Sequence, residues 1–508
     1  MTMSRPTLAE LKSISDRLGF GLDGDELSEY WEVVCQAVDG YEDMDTLADA
    51  KLPVKYPRQE VGYRPTGEDN PVNGWAWKCR IEGAPNGPLK GKTVGIKDNT
   101  AVAGLPMLNG SPIMEGYVPD EDATVVTRLL DAGATIIGKT AVPAFCFDGG
   151  GVTGYPEPQP VNPHRTDHLP GSSSNGSGAV LANGEADICT GGDQGGSIRL
   201  PASWSGCCGL KPTHGLVPYT GIFPIETTLD HTGPMARNVA DCAVALQVMA
   251  GPDGLDPRQP SHLEPGDYVG ALDKGVKGLR VGLLKEGFGI PDASEPEVDE
   301  AVRAAASALQ SLGAEVSEVS VPLHSRALTI WNAIAFEGAT AQMVAGDGYG
   351  VNWKGHYSTG LVDFYGRARR ARGRDYSPTV KVTAMVGTYM SEVYNHRYYA
   401  KAQNLGRILR QRYDEAMDKV DVLVMPTTAM VALKRPEGRT LAEVLGGALA
   451  NLHNTAAFDV TGHPAMSIPC GDKGGLPIGM MIVAPYFSEE RILQVAQAFE
   501  TEAAKAGG

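Results

Sequence analysis

No uninterrupted apolar stretch in the 508-residue chain reaches the roughly 18 residues that a membrane-spanning helix needs. The opening segment MTMSRPTLAELKS lacks the basic-then-apolar layout of an export signal. Both absences predict a cytoplasmic protein with no membrane partner. The eight cysteines include no CxxC pair, and the adjacent Cys207 and Cys208 cannot grip one ion as such a pair does. Their spacing predicts reduced, buried, small apolar side chains. Ten histidines form no HExxH, so no metal site is expected. Basic charge is scarce: 44 Lys and Arg stand against 61 Asp and Glu, a net of −17. A phosphate-binding surface must be basic, which argues against a nucleic-acid partner. The local run Arg367, Arg369, Arg370, Arg372 and Arg374 reads as a solvated helix end.

What is present is an ordinary apolar share of 42%, enough for a large core, and 63 glycines without a fixed period. Residues 7 to 50 have an amphipathic helical pattern with acidic solvent faces. A proline-rich stretch from Leu52 to Pro71 then reads as an extended linker. Beyond it, short apolar runs alternate with helical periods. KTVGI and ATIIG read as strands on either side of the helix DATVVTRLLDAG. LRVGLLK, the long helix PEVDEAVRAAASALQSLG, AEVSEVSVP and the late strand DVLVMP repeat the theme. This alternation predicts an α/β fold, a sheet covered by helices on both faces. Residues 251 to 278 are expected to connect over the surface. We read residues 1–73 as a helical extension with its linker and 74–508 as one catalytic domain.

Two stretches spell nucleotide motifs without their mechanics. Gly133 to Thr140, GATIIGKT, matches a phosphate loop letter for letter. Its middle is β-branched and apolar, so it reads as the strand itself, and Pro143 stands where a helix should be under way. Gly149 to Gly154, GGGVTG, satisfies GxGxxG but has no strand before it and four prolines after it. It reads as a flexible loop.

The informative segment is PGSSSNGSGAVLANGEADICTGGDQGGSIRLPASWSG, residues 170 to 206. Two Gly/Ser clusters frame a helical piece, GAVLAN, and a strand-like piece, ADICT. Ser177 suits the N-cap of that helix. Taken with Gly95-Ile96-Lys97-Asp98-Asn99 upstream, the clusters GSSSNGS and GGDQGGSIRLPA resemble the amidase signature family. The similarity runs on through LKPTHGLVPYTG, LDHTGPMARNVAD and TGHPAMSIPCG to GLPIGMMI, roughly residues 74 to 500. It is strongest toward stand-alone bacterial amidases, including those that work beside nitrile hydratases.

That resemblance implies an amidase-signature fold, a large mixed sheet, and amide hydrolysis through an acyl-enzyme without a cofactor. Residue by residue it implies Ser197 as nucleophile and Ser173, 24 positions upstream on a cis Ser172–Ser173 peptide, as bridging serine. Lys97 becomes the base. Such a lysine works only when neutral, so burial must depress its pKa. Backbone N–H groups of Gln194, Gly195, Gly196 and Ser197 would face the oxyanion. Asp193 and Arg199 would pair behind the loop. Asn175 departs from the family's usual glycine, and an αL turn tolerates it. Cys146, Phe147, Gly149, Gly150 and Trp331 are expected to line the acyl pocket, with Trp353, Tyr357, Phe364 and Tyr365 as further aromatic candidates. Phe145 and Phe147 beside Cys146 favour a wall over a nucleophile. His231 and His463 are expected to pack and hydrogen-bond. The partner is a small amide, and the resemblance implies a homodimer. Two alternatives stay open: a glutamine-hydrolysing amidotransferase subunit, and a carbamate or anilide hydrolase.

Overall fold

The computed structural model describes residues 3–58, 60–436, 440–449 and 451–506. They form two units, residues 1–52 and 53–508. In the first, α1 (Leu8–Leu18) starts at a capping box, Thr7 Oγ1 accepting from Glu10 N–H while Glu10 accepts from Thr7 N–H. Gly19, with φ of 74°, ends it. The second helix, α2 (Gly24–Asp39), buries Leu27 and Cys35.

The second unit opens with β1 (Trp75–Glu82), β2 (Thr93–Lys97), α3 (Thr124–Asp131), β3 (Thr135–Thr140), α4 (Asn175–Ala182) and β4 (Ile188–Asp193). It continues with α5 (Arg199–Ser205), β5 (Cys208–Lys211), β6 (His231–Ala236), α6 (Val239–Met249), β7 (Arg280–Leu284), α7 (Pro296–Ser311) and β8 (Glu315–Val319). A strand-free stretch follows: α8 (Ala327–Ala339), α9 (Thr359–Ala371), α10 (Pro378–Tyr394) and α11 (Arg397–Met417). The chain closes with β9 (Val422–Pro426), α12 (Leu441–Leu449), α13 (Ala456–Thr461), β10 (Ala465–Lys473), β11 (Leu476–Val483) and α14 (Glu489–Ala506).

All eleven strands form one mixed sheet in the order β1-β3-β2-β4-β6-β5-β10-β11-β9-β7-β8. The strands β3, β2 and β4 are parallel, as are β9, β7 and β8, while the middle is antiparallel. Helices α4 and α5 pack together on one side, and α3, α6, α7 and α14 form a second packed set. Both sets pack against the central strands. Inner strands such as β2 and β11 are buried along nearly their whole length, whereas edge strand β8 is mostly exposed and carries Glu315 and Glu318. Helix α7 shows how a sequence pattern becomes packing. Pro296 sits at its first turn, and Val298, Val302, Ala305, Ala306 and Leu309 form one buried stripe.

The phosphate-loop lookalike is strand β3, and its Lys139 is fully buried, 3.0 Å from Asp98 Oδ1. The GxGxxG stretch is not flexible in the way its glycines suggest. The Asp148 carboxylate accepts from the backbone N–H of Gly150, Gly151, Val152 and Thr153 and from the Thr153 hydroxyl, at 2.8–3.0 Å. The 251–278 connection also departs from a surface path: Tyr268 is buried, and Arg258 pairs with buried Asp256 at 2.7 Å. Arg369 and Arg370 at the end of α9 are not purely solvated, since both pair with Asp347.

Candidate active site

Strands β2 and β4 run parallel as neighbours, so Lys97 and Asp193 leave the sheet at the same edge. Carboxyl ends of parallel strands are where α/β folds place ligands. The Lys97 ammonium nitrogen bonds to Ser173 Oγ at 2.9 Å and to Gly192 O at 3.0 Å. Lys97 is 1% exposed. That burial lowers its pKa from the usual lysine value, while Cys146, Asp193 and Asp230 pull partly the other way.

The first Gly/Ser cluster is pinned from several sides. The Ser172–Ser173 peptide is cis. Ser172 N–H donates to Gly149 O at 3.0 Å, and its hydroxyl donates to Asp148 O. Ser174 N–H donates to Ser197 O at 3.2 Å, tying the two serine segments together one residue beyond Ser173. Two local expectations fail here. Ser177 is not an N-cap, because α4 begins at Asn175; its hydroxyl instead donates to Thr190 O at 2.9 Å and meets Thr140 Oγ1 at 2.8 Å. Asn175 is not in an αL turn but is the first helical residue, its Oδ1 accepting from Gly176 N–H at 3.0 Å. The helix starts earlier because this segment is buried against β4, where its backbone N–H and C=O groups need partners.

The second cluster wraps around Asp193. One carboxylate oxygen accepts from Gly196 N–H at 2.5 Å and the other from Ile198 N–H at 3.0 Å. Arg199 holds both oxygens, at 3.0 and 3.1 Å, and also reaches Asp459 at 2.7 Å. All three side chains are fully buried, and burial beside Asp193 pushes the Asp459 pKa well up. Burial alone would raise the Asp193 pKa, but Arg199 outweighs it and holds the carboxyl well below its usual range. Gly196 N–H is therefore committed to Asp193, a correction to the four-donor expectation. Among the described residues, the N–H groups of Gln194, Gly195 and Ser197 donate to no protein group. A Cβ at Gly195 would lie 2.8 Å from the Trp331 ring, so any side chain there must displace the indole. Gly196, at φ of 142°, would bring a Cβ to 2.5 Å from Thr455 Oγ1. Removing Arg199 leaves the buried, ionised Asp193 without its cation, so Arg199→Met should lose about 3–5 kcal/mol in urea unfolding.

Trp331 holds the loop, its indole N–H donating to Gln194 O at 2.5 Å. Cys146 is buried beside Lys97, and its thiol donates to Asn109 Oδ1 at 3.4 Å. Burial pushes that thiol pKa up, with Lys97 opposing, so it stays a protonated wall group. Phe147 packs near Phe336, ring centres 6.4 Å apart. Gly149 N–H donates to Ala448 O at 2.8 Å, and a Cβ on Gly150 would meet Gly447 O at 2.4 Å. A cleft of about 370 Å³ runs along this loop, lined by Ala144, Val152, Thr153 and Tyr155 and by none of Cys146, Phe147, Gly149, Gly150 and Trp331. The other aromatic candidates do not gather here. Tyr365 joins Phe145 and Phe223, Phe364 packs on Tyr117, and Tyr357 on Tyr349. His231 and His463 hydrogen-bond to Leu229 O and to Thr461 and Asp414.

Residues 76–493 match the Amidase family. An enantioselective amidase from Rhodococcus rhodochrous is 44% identical over 503 residues, 98% of this chain and 96% of that protein. The chain belongs to the amidase family. A solved peptide amidase from Stenotrophomonas maltophilia superposes with TM-score 0.67 at 29% identity, covering 82% of this chain and 84% of that one. A glutamyl-tRNA(Gln) amidotransferase chain from Thermotoga maritima gives 0.70 at 26%, covering 85% and 88%. The protein is an amidase, hydrolysing carboxylic amides, on the amidase-signature α/β fold. No helix among the described residues is long and apolar enough to cross a membrane.

Several groups that build this amidase's site escape a reading of the sequence. Asp148 has a local signal, since an aspartate before Gly-Gly-Gly can gather successive N–H groups. Asp459 and Thr455 have none: they come from α13 and the residue before it, and meet Arg199 and Gly195 O across about 260 positions.

Proposed function

We propose that the amidase works through Ser197, Ser173 and Lys97. The contact that carries this reading is the 2.9 Å approach of the buried Lys97 nitrogen to Ser173 Oγ. Neutral Lys97 takes the Ser173 proton while Ser173 takes that of Ser197, whose oxygen attacks the amide carbon. The N–H groups of Gln194, Gly195 and Ser197 bind the oxyanion. The relay then returns the proton to the departing nitrogen, releasing ammonia or an amine and leaving an ester on Ser197. Water, deprotonated through the same relay, hydrolyses the ester.

The substrate class we favour is a small aliphatic or aryl amide, with carbamates and anilides as extensions. The near full-length match to an enantioselective amidase supports an independent enzyme over an amidotransferase subunit. We assign catalysis to residues 74–508 and take the working form to be a cytoplasmic homodimer.

Rapid quenching with butyramide followed by mass spectrometry should find a butyryl group on the peptide containing Ser197. Ser173→Ala should slow its formation by about 10³-fold without changing the melting temperature. An acyl group on any other residue, or turnover of glutamine alone, defeats the proposal.

A further inference from the structure

A cleft of about 400 Å³ opens at the C-terminal end of α8, and none of Lys97, Ser173 or Ser197 lines it. Its wall contains two carboxylates, Glu226 and Glu337, each 3% exposed, and no lysine or arginine among the described residues. Glu226 is satisfied within the protein: Tyr399 Oη donates to one oxygen at 2.9 Å and Thr228 N–H to the other at 2.8 Å. Glu337 is held less fully. Its buried Oε2 accepts no hydrogen bond from the described residues, and the half-exposed His396 ring nitrogen 3.3 Å away pairs with it only when the imidazole is charged.

A buried donor in the same wall is also unmatched. Gln342 accepts from Thr227 N–H at 2.9 Å through its oxygen, while its Nε2 is buried without an acceptor among the described residues. Gln342 lies on a π-turn, Thr340–Val344, closed by Ala345 N–H to Thr340 O at 2.8 Å. Such wide turns recur where helices build binding sites. Buried polar groups are ordinarily hydrogen-bonded, so a carboxylate oxygen and an amide nitrogen both lacking hydrogen bonds in one cleft point to a complementary ligand.

We infer that this cleft is a second binding site, for a small organic ammonium with an oxygen acceptor beside it, as in an amino-acid amide. The ammonium bonds to Glu337, the ligand oxygen accepts from Gln342 Nε2, and Tyr349 and Trp353 supply aromatic walls. The inference stands apart from the Ser197 chemistry.

Calorimetric titration of glycinamide hydrochloride into Ser197→Ala, which prevents turnover of the probe, tests it. The saturable glycinamide phase that excess propionamide does not displace should weaken at least tenfold when Glu337→Gln is added, while neutral propionamide, confined to the Ser197 site, binds both proteins alike. Gln342→Ala provides a second variant: it should weaken glycinamide but leave n-propylammonium, which has no acceptor, unchanged. Equal glycinamide affinity with and without Glu337→Gln overturns the site. So does a parallel loss of propionamide binding. Glycinamide hydrolysis persisting in Ser197→Ala would count against the nucleophile assignment and not against this one.

Discussion

Ser197→Ala should lower kcat on amides by on the order of 10⁶-fold and abolish acyl transfer to hydroxylamine, with the fold intact. Removing the nucleophile of a serine hydrolase costs about that much, because the remaining groups have no bond-forming partner to assist. The substitution keeps the backbone N–H of residue 197, so the proposed oxyanion contact and substrate affinity should survive. It also leaves Asp193, Arg199 and Asp459, which hold the loop, untouched. Ammonia release and hydroxamate formation measure the two activities, and a thermal melt checks the fold. A variant keeping more than a hundredth of the wild-type rate would remove Ser197 from the chemistry.

Lys97→Ala should lower kcat/KM by about 10⁴-fold near neutral pH, the upper range for loss of a positioned proton acceptor. Lys97→Arg should not rescue it, because a guanidinium does not deprotonate. The wild-type profile carries the sharper prediction. Burial lowers the Lys97 pKa, so the amine becomes neutral, and competent, below the ~10.4 of a free lysine. Activity should therefore rise with pH along a limb whose midpoint lies below that value, and fall as acid protonates the amine. In Lys97→Ala that limb should vanish. The same shift has a stability consequence. Between the folded and unfolded pKa values the unfolded chain binds more protons, so Lys97 makes stability increase with pH in that window. Lys97→Ala should flatten this slope in urea unfolding followed across pH. Lys211, fully buried and pushed down to about 7, contributes a slope of the same sign and stays in the variant as an internal comparison.

Much of the fold is legible in the sequence because periodicity is local. The strands at Thr93–Lys97, Thr135–Thr140, Arg280–Leu284 and Val422–Pro426, and the stripe of α7, fall where apolar runs and amphipathic spacing place them. The phosphate-loop lookalike is legible for the same reason, its β-branched middle marking a strand. The helical stretch from Ala327 to Met417 is not, partly because α8 has apolar residues on several sides and shows no polar face. Ser177 misleads because capping preference is weak against tertiary hydrogen bonding, and Thr190 and Thr140 offer partners. The size of Trp331 points to a pocket wall, yet its indole anchors the loop at Gln194.

Local pattern is enough to specify the elements, the amidase family and the residue types available for the chemistry: a lysine ending a strand, two serine clusters and glycines where no Cβ fits. Which of these groups meet is a property of the packed chain alone. Parallel pairing of β2 with β4 brings Lys97 to Gly192 and Ser173, and packing of α13 brings Asp459 to Arg199. The reason is physical: a proton-transfer distance, or the burial that depresses an amine pKa, depends on contacts between distant segments, and no short stretch of chain encodes them.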